Sequence, residues 1–416
     1  MLKQILFFAI ISLSIFFFVS GIYLTNSKTN DTVDFLSSTY VSQEEPLIRY
    51  LSDTQELRST NSQSFFKKID EKGTYLTKIS QISNNEYVSI AVKGNQYFLY
   101  FLDEEGSIRK EIFIESGQVR INDFVFFNNT FTFVGQKNGK PYILNISKTG
   151  ETNWSLVINY QGALSTIKNT SGSYVVGGWV IENTNSQAYI SEVNLSGKKI
   201  WENTYGRDRE ERIVDLVIDN NRIITVGTSN SNPQKQNDLL ILVYSREGIL
   251  LFSDEYGYTT FHENPNSIVQ DNEGNIYIGG YITTLNELEW KGFIMKISKD
   301  LEQKDTLEVE YFETLAIKSL SRVEELKVYN NQIYLMGVCV DNWPNYDLFL
   351  RIINPNGVLI EQKIYGTNEQ ELIYSFEILP AGEILGTGQV KDSNNEIYPL
   401  IIKTDSSYSI RQKEKP

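Results

Sequence analysis

The chain has 416 residues and sets Lys+Arg 38 against Asp+Glu 52, a formal net charge of -14 that opposes nucleic acid and anionic membrane surfaces as partners. Tyr 25 and Phe 22 beside only 9 Pro fit a β-rich, packed chain and exclude a disordered one. A single cysteine, Cys339, and a single histidine, His262, exclude an internal disulfide, a cysteine-based zinc site and a histidine metal cluster, so neither metal nor cofactor is expected.

Lys3 precedes an apolar run from Ile5 to Leu24, broken only by Ser12, Ser14, Ser20 and Gly21. This pattern matches an export signal, with Val19-Ser20-Gly21 offering a cleavage point, or a single membrane anchor. Without a cysteine nearby it is not a lipoprotein anchor. In either case residues 1–24 stand apart, the rest of the chain is expected outside the cytoplasm, and any membrane contact runs through residues 5–24 alone. Residues 25–63 turn polar and read as a linker.

From residue 64 onward the chain is periodic. Stretches of β-forming residues end near Ala91, Gly135, Gly178, Gly227, Gly280, Gly337 and Gly388, at intervals of 43 to 57 residues. Asn275-Ile-Tyr-Ile-Gly-Gly-Tyr281 is the clearest of them. Glycine inside a strand marks a bulge or a place where another backbone comes close, so its recurrence is informative. Each repeat has a first strand such as 212–218, then a turn made by Asn84-Asn85, Asn128-Asn129, Asn220-Asn221, Asn330-Asn331, 272–274 or Ala381-Gly382. Those residues mostly tolerate the positive φ of tight hairpins. The glycine-ended strand follows, then a variable loop, a third strand, a turn with Gly106, Gly150, Gly197, Gly248 or Gly357, and a fourth strand that often ends in Tyr-Gly.

Four antiparallel strands per repeat at this period predict an all-β, seven-bladed β-propeller over residues 64–416, with an open β-solenoid as the alternative. Ring closure requires the chain ends to meet. Residues 64–70 resemble a fourth strand that lacks its own repeat, and they are predicted to pair with the strand around 400–403, completing the last blade and removing two sheet edges. Residues 408–411 compete for the same place.

The repeats carry Gly-x-x-x-aromatic, as in Gly150-Glu-Thr-Asn-Trp154, Gly197-Lys-Lys-Ile-Trp201 and Gly248-Ile-Leu-Leu-Phe252. This resembles the blade signature of bacterial extracytoplasmic β-propeller repeat proteins, including the quinoprotein-like group. The resemblance covers residues 64–405 and implies an architecture. It weakens at Lys110 and Glu361, where the aromatic is missing, and the quinoprotein-like group tends to have eight blades, so that group's cofactor is not carried over.

Loops between second and third strands and loops between blades share one face, where propellers usually bind ligands. On this face the first two blades have short loops. Longer ones are expected at 181–187, 229–237, 283–290, 341–345 and 391–396. Trp290 and Trp343 fall in these loops and suit a sugar ring or an aromatic-rich peptide, or else plug the neighbouring blade. His262, Glu263 and Asp341 lie on the same face. His262 is offered as a general base only without a nucleophile motif to serve, and Glu263, Glu287, Glu289 and Asp341 offer carboxylates for glycoside chemistry without a spacing that selects a pair. Cys339 reads as a small buried residue. The expected function is a non-enzymatic, extracytoplasmic binding or scaffold protein, a monomer whose ligand is a protein or a glycan. A hydrolase or lyase acting on polysaccharide through loop-face carboxylates is the alternative.

Overall fold

The computed structural model describes residues 48–49, 64–206, 209–219, 221–231, 236–258, 260–284, 289–301, 306–340 and 345–410. The apolar run, most of the polar linker, and Asp341 and Trp343 lie outside them. Strands β1 (Ile48–Arg49) and β2 (Phe65–Lys68) precede the repeats. Blade 1 holds β3–β6 (Thr74–Ser83, Glu86–Lys93, Gln96–Asp103, Ile108–Ser116), and blade 2 holds β7–β10 (Val119–Phe127, Thr130–Lys137, Lys140–Ser147, Thr152–Val157). Blade 3 holds β11–β14 (Gln161–Asn169, Ser173–Glu182, Asn185–Asn194, Lys199–Tyr205), and blade 4 holds β15–β18 (Glu211–Ile218, Arg222–Ser229, Asp238–Ser245, Leu250–Tyr256). Blade 5 holds β19–β22 (Phe261–Gln270, Ile276–Thr284, Trp290–Ile297, Val309–Thr314), and blade 6 holds β23–β26 (Leu320–Tyr329, Gln332–Val340, Asp347–Ile353, Leu359–Tyr365). Blade 7 holds β27–β29 (Gln370–Ile378, Ile384–Lys391, Ile397–Lys403), and all pairings are antiparallel.

The result is a seven-bladed propeller of four-stranded antiparallel blades. The first strands of successive blades pack on one another and form the inner ring, with β27 against β3 closing it. Blade 7 takes its fourth strand from the other end of the chain: β2 pairs with β29, Phe65 opposite Lys403 and Lys68 opposite Leu400. Residues 408–410 do not compete for that edge; Tyr408 instead meets the Tyr334 and Tyr365 hydroxyls of blade 6. Blade 1 carries a fifth, outer strand, β1 on β6, with Ile48 opposite Ile112 and Arg49 opposite Glu111.

The recurrent glycine has a definite cause. In blades 2 to 7 the inner strand bulges by one residue directly beside it, between Ile121 and Asp123, Leu164 and Thr166, Ile213 and Asp215, Pro265 and Ser267, Val323 and Glu325, and Ile373 and Ser375. At each bulge a backbone carbonyl is driven toward the glycine: a Cβ on Gly135, Gly227 or Gly280 would lie 1.8, 1.7 or 2.1 Å from the carbonyl oxygen of Arg120, Arg212 or Asn264. Only a residue without a side chain fits. Blade 1 has Ala91 there, and its inner strand loops out two residues, Thr77 and Lys78, instead of one.

The bulges also tie blade to blade. The side chain just after the bulge accepts the amide of the matching segment in the next blade: Asp123 from Ile167 at 3.1 Å, Asp215 from Ile268 at 3.2 Å, Ser267 from Leu326 at 3.2 Å and Glu325 from Phe376 at 2.9 Å. Lys78, from the double bulge of blade 1, reaches to blade 6 and donates to Glu325 at 2.5 Å. Burial pushes the Glu325 carboxyl up, but Lys327 and Lys78 outweigh it and hold the group down at about 2. For Lys78, burial is outweighed by Glu325, Asp123 and Asp215, and its ammonium is held well above the usual range.

Apolar clusters lie between blades, each drawn from two neighbours, for example Phe131 and Phe133 with Leu99 and Ile112, or Phe293 and Met295 with Leu239 and Ile241. The fourth-strand aromatic of one blade covers the turn glycine of the next. A Cβ on Gly197 would lie 2.6 Å from Trp154, one on Gly248 2.6 Å from Trp201, and one on Gly106 2.6 Å from Phe65 of the closing strand. That contact is what the Gly-x-x-x-aromatic spacing encodes. The predicted hairpin asparagines adopt positive φ at Asn85, Asn128, Asn129, Asn330 and Asn331.

Candidate functional site

Antiparallel order places the ends of the second strands, the starts of the third, and the links between blades on one face. One of the long loops expected there is absent. Residues 181–187 of blade 3 are strand, β12 and β13 joined through Asn183 and Thr184, both with positive φ. In blade 7, residues 392–396 form a tight turn whose Asn394 and Glu396 amides bind Asp392. The apparent loop in blade 3 is polar sequence on extended hairpin strands, which composition alone does not distinguish. The longer connections therefore belong to blades 4 to 7.

Blade 5 stands within that arc. Register sets His262 opposite Thr283, and Thr283 opposite Trp290, so these three form one row across the sheet, His262 and Trp290 about two strand spacings, ~10 Å, apart. Trp290 opens β21 and is half-buried. Its ring stacks on Tyr346 of blade 6, with centroids 6.3 Å apart and planes at 17°. The Arg322 guanidinium lies 6.0 Å from the Trp290 ring and 5.7 Å from that of Tyr281, and its Nε donates to Glu324 at 2.5 Å. Arg322 Nη2 is buried with no hydrogen-bond partner. Trp290 thus caps an aromatic and cationic cluster at the seam of blades 5 and 6. His262 Nδ1 accepts the Asn237 amide at 3.0 Å, which fixes the ring against the connection from blade 4 and occupies the nitrogen a base would use.

Glu263 is fully buried. One oxygen accepts the Tyr258 amide at 3.1 Å, and Oε2 has no hydrogen-bond partner. Burial raises its carboxyl, the Tyr258 amide opposes this, Asp238 adds to it, and the group stands at about 8. Gly257 packs against both acids: a Cβ there would lie 2.2 Å from Asp238 Oδ1 and 2.9 Å from Glu263 Oε2. The same device recurs. Gly366 packs on Asp347 beside buried Glu371, whose carboxyl burial raises to about 7 despite the Thr367 bonds, and Gly206 packs on Gln187 ahead of buried Glu211. The Tyr-Gly ends of the fourth strands are therefore there to admit a third-strand acid or amide, and Glu263 belongs to a blade-to-blade brace.

On the other side of blade 5, facing blade 4, a cavity of ≈ 380 Å³ is lined by Tyr258, Phe261, Ile282 and Phe312, with Thr284, Thr314, Glu289 and Lys291 around them. Tyr258 is exposed at 44%, its ring 5.8 Å from Phe312 and 5.7 Å from Tyr256, and its hydroxyl 2.9 Å from that of Tyr256. Sequence reasoning marked the loop carrying Glu289 but singled out none of the aromatic walls. Tyr258 lies in the connection between β18 and β19 and Phe312 on β22, and the only signal for the cavity is that both fall at the loop-face ends of blades 4 and 5.

No protein-family model and no curated protein matches the chain. Solved structures match in shape. The WD40 β-propeller domain of Doa1 aligns at 12% identity and a TM-score of 0.50 over 80% of this chain and 94% of that one. Lignostilbene dioxygenase of Pseudomonas brassicacearum aligns at 9% identity and a TM-score of 0.51, covering 82% and 91%. Synechocystis apocarotenoid oxygenase gives 11% identity and 0.50, covering 88% and 91%. At such identities the likeness is one of fold. A WD40 domain and two oxygenases share it, so the fold does not choose the function.

Proposed function

We propose that this chain is an extracytoplasmic β-propeller that works by binding, with a protein segment or a glycan as its ligand, seated on the loop-face end of blade 5. Residues 1–24 carry it out of the cytoplasm as a signal or anchor, residues 25–63 act as a linker that also lends blade 1 its outer strand β1, and the propeller of residues 64–416 presents the site. The observation that carries this reading is the aromatic cavity between Tyr258 and Phe312, with Trp290 on the opposite side of the same blade. Its ≈ 380 Å³ is the size that takes one aromatic side chain or sugar ring. Tyrosine and tryptophan supply broad, rigid contact area at small entropic cost.

One observation favours an enzyme acting on polysaccharide: a carboxyl held near neutrality, as Glu263 is, is the mark of a general acid. Against it, Glu263 is sealed from solvent and its arrangement with Gly257 and Asp238 is repeated at Glu371, Gly366 and Asp347, away from the cavity. A brace explains both copies, whereas catalysis explains one. The test is a screen of the full chain against immobilised glycans and displayed peptides, followed by Tyr258→Ala and Trp290→Ala. Binding that both substitutions weaken supports the proposal. Turnover of a polysaccharide that Glu263→Gln abolishes would support the enzyme.

A further inference from the structure

The fourth strands form the outer rim, and each leaves one backbone edge unpaired unless something covers it. On blade 1 the chain covers its own rim with β1, an antiparallel addition that sets Ile48 opposite Ile112 and Arg49 opposite Glu111. Two other rim strands are unusually apolar at the surface. Ile249, Leu250 and Leu251 are exposed at the start of β18, and Val358, Leu359, Ile360 and Ile364 are exposed along β26, at 60, 47, 48 and 44%. Isolated exposed hydrophobic residues are ordinary, but a run along an open sheet edge is a pairing surface.

The charges decide what each edge accepts. β26 reads Leu359-Ile-Glu-Gln-Lys-Ile-Tyr365. Laid antiparallel on itself about Gln362, it sets Glu361 opposite Lys363 of the second copy, Lys363 opposite its Glu361, and Ile360 opposite Ile364 twice over. Glu361 and Lys363 already lie on one face, with Nζ and Oε1 3.4 Å apart, so pairing turns one ion pair into a four-charge ladder. The Gln362 amide points away from β25 and is occupied by the Glu361 carboxylate of its own chain at 3.1 Å, a bond that a second copy's backbone carbonyl replaces. Three other rims fail this trial. β18 sets Asp254 and Glu255 against Phe252 and Leu251, β22 sets Glu310 against Glu313, and β14 sets Glu202 against itself. Lysine on an edge usually guards against pairing; here its own mate stands two residues away in the right place.

From this self-complementarity we infer that two copies of this chain associate through β26, edge to edge about a twofold axis at Gln362, joining two blades 6 into one eight-stranded sheet. The sequence alone favoured a monomer, and the inference departs from that expectation. It is independent of the ligand site, because β26 is the outer rim of blade 6 and the cavity lies at the loop-face end of blade 5.

Sedimentation velocity of the full chain, in density-matched detergent over a hundredfold range of concentration, tests it. Wild type should shift from monomer to dimer across that range. Lys363→Glu places like charges opposite one another at both symmetric positions and should weaken the dimer by about tenfold or more. Glu361→Lys combined with Lys363→Glu restores opposite charges in the same register and should restore the dimer. Melting temperatures check that each variant is folded, and if Lys363→Glu melts early, Ile360→Lys takes its place and must give the same loss. A wild type that stays monomeric at every concentration, as it would if another segment or another protein covers β26, overturns the inference. So does a dimer indifferent to Lys363→Glu, or a charge-swapped pair that folds and stays monomeric.

Discussion

Replacing Gly280 with alanine tests why the repeat exists. The added Cβ would lie 2.1 Å from the Asn264 carbonyl oxygen and 2.8 Å from Pro265 Cα, both backbone atoms of the bulge, so the inner strand must move by about an ångström or lose its register. Overpacking of this kind costs about 3 kcal/mol, more than the ~0.4–1 kcal/mol that a Gly→Ala change returns through the unfolded chain. Its neighbour Gly279 is the control. A Cβ there would meet Leu326 Cδ2 and Val323 Cγ1, each at 2.9 Å, and these are side-chain atoms that can turn aside. Gly279→Ala should therefore cost about 1 kcal/mol. For a cooperative unit of this size, with unfolding entropy scaling by residue, the two changes should lower Tm by roughly 4 °C and 1–2 °C. Differential scanning calorimetry reads both. Ala91 shows that alanine is accepted where the inner strand bulges by two residues, so Ala91→Gly should cost less than ~1 kcal/mol. The reasoning fails if Gly280→Ala melts with the wild type or above Gly279→Ala.

Removing Phe65 from the closing strand should destabilise the fold by about 2 kcal/mol, since its ring lies over the turn at Gly106, and deleting residues 64–68 should open blade 7 to limited proteolysis at 397–403; unchanged stability on deletion would end the closure argument. Lys78→Met leaves Glu325 with Lys327 at 3.8 Å as its remaining cation, an expected loss of about 2–4 kcal/mol at pH 7 by denaturant titration. Because the folded Glu325 carboxyl is held at about 2, below its ordinary 4.5, its contribution is present above pH 4.5 and is lost as pH falls toward 2. That acid-side loss should shrink in Lys78→Met. Glu263 and Glu371 work in the opposite sense. Their folded values of about 8 and about 7 exceed the ordinary 4.5, so their contribution is full below pH 4.5 and is lost as pH rises through that window. Glu263→Gln, which keeps an acceptor for the Tyr258 amide, should flatten the decline between pH 5 and 8, and a melting profile as steep as that of wild type would contradict the assigned protonation.

The architecture was legible because one steric demand recurs in six of the seven blades. A bulge in the inner strand excludes a side chain at one site in the next strand, and that glycine, together with the asparagine turns, fixes the period. The closing strand was legible too, since Phe65 stands where Trp154 and Trp201 stand in their own repeats. Loop lengths were less so: residues 181–187 are polar enough to read as loop but continue the hairpin, because strands near the rim can be polar on both faces. The ring of bulge carboxylates and Lys78 was missed because the residue after the one-residue bulge changes identity from blade to blade, as Asp123, Thr166, Asp215, Ser267, Glu325 and Ser375, while Lys78 lies within the double bulge of blade 1, and only the ring brings them together. The aromatic cavity was missed for a similar reason. Tyr258 and Phe312 are more than fifty residues apart, and each looks like an ordinary strand-end aromatic.

The binding of a ligand at the loop-face end of blade 5 is the central claim, and an equilibrium titration tests it most directly. A glycan or peptide selected by the full chain should bind the Tyr258→Ala and Trp290→Ala variants at least about tenfold more weakly, as expected for aromatic anchors at a binding hot spot, while Lys363→Glu at the rim should leave its affinity unchanged. A ligand that binds both aromatic variants as tightly as it binds the wild type would contradict the account.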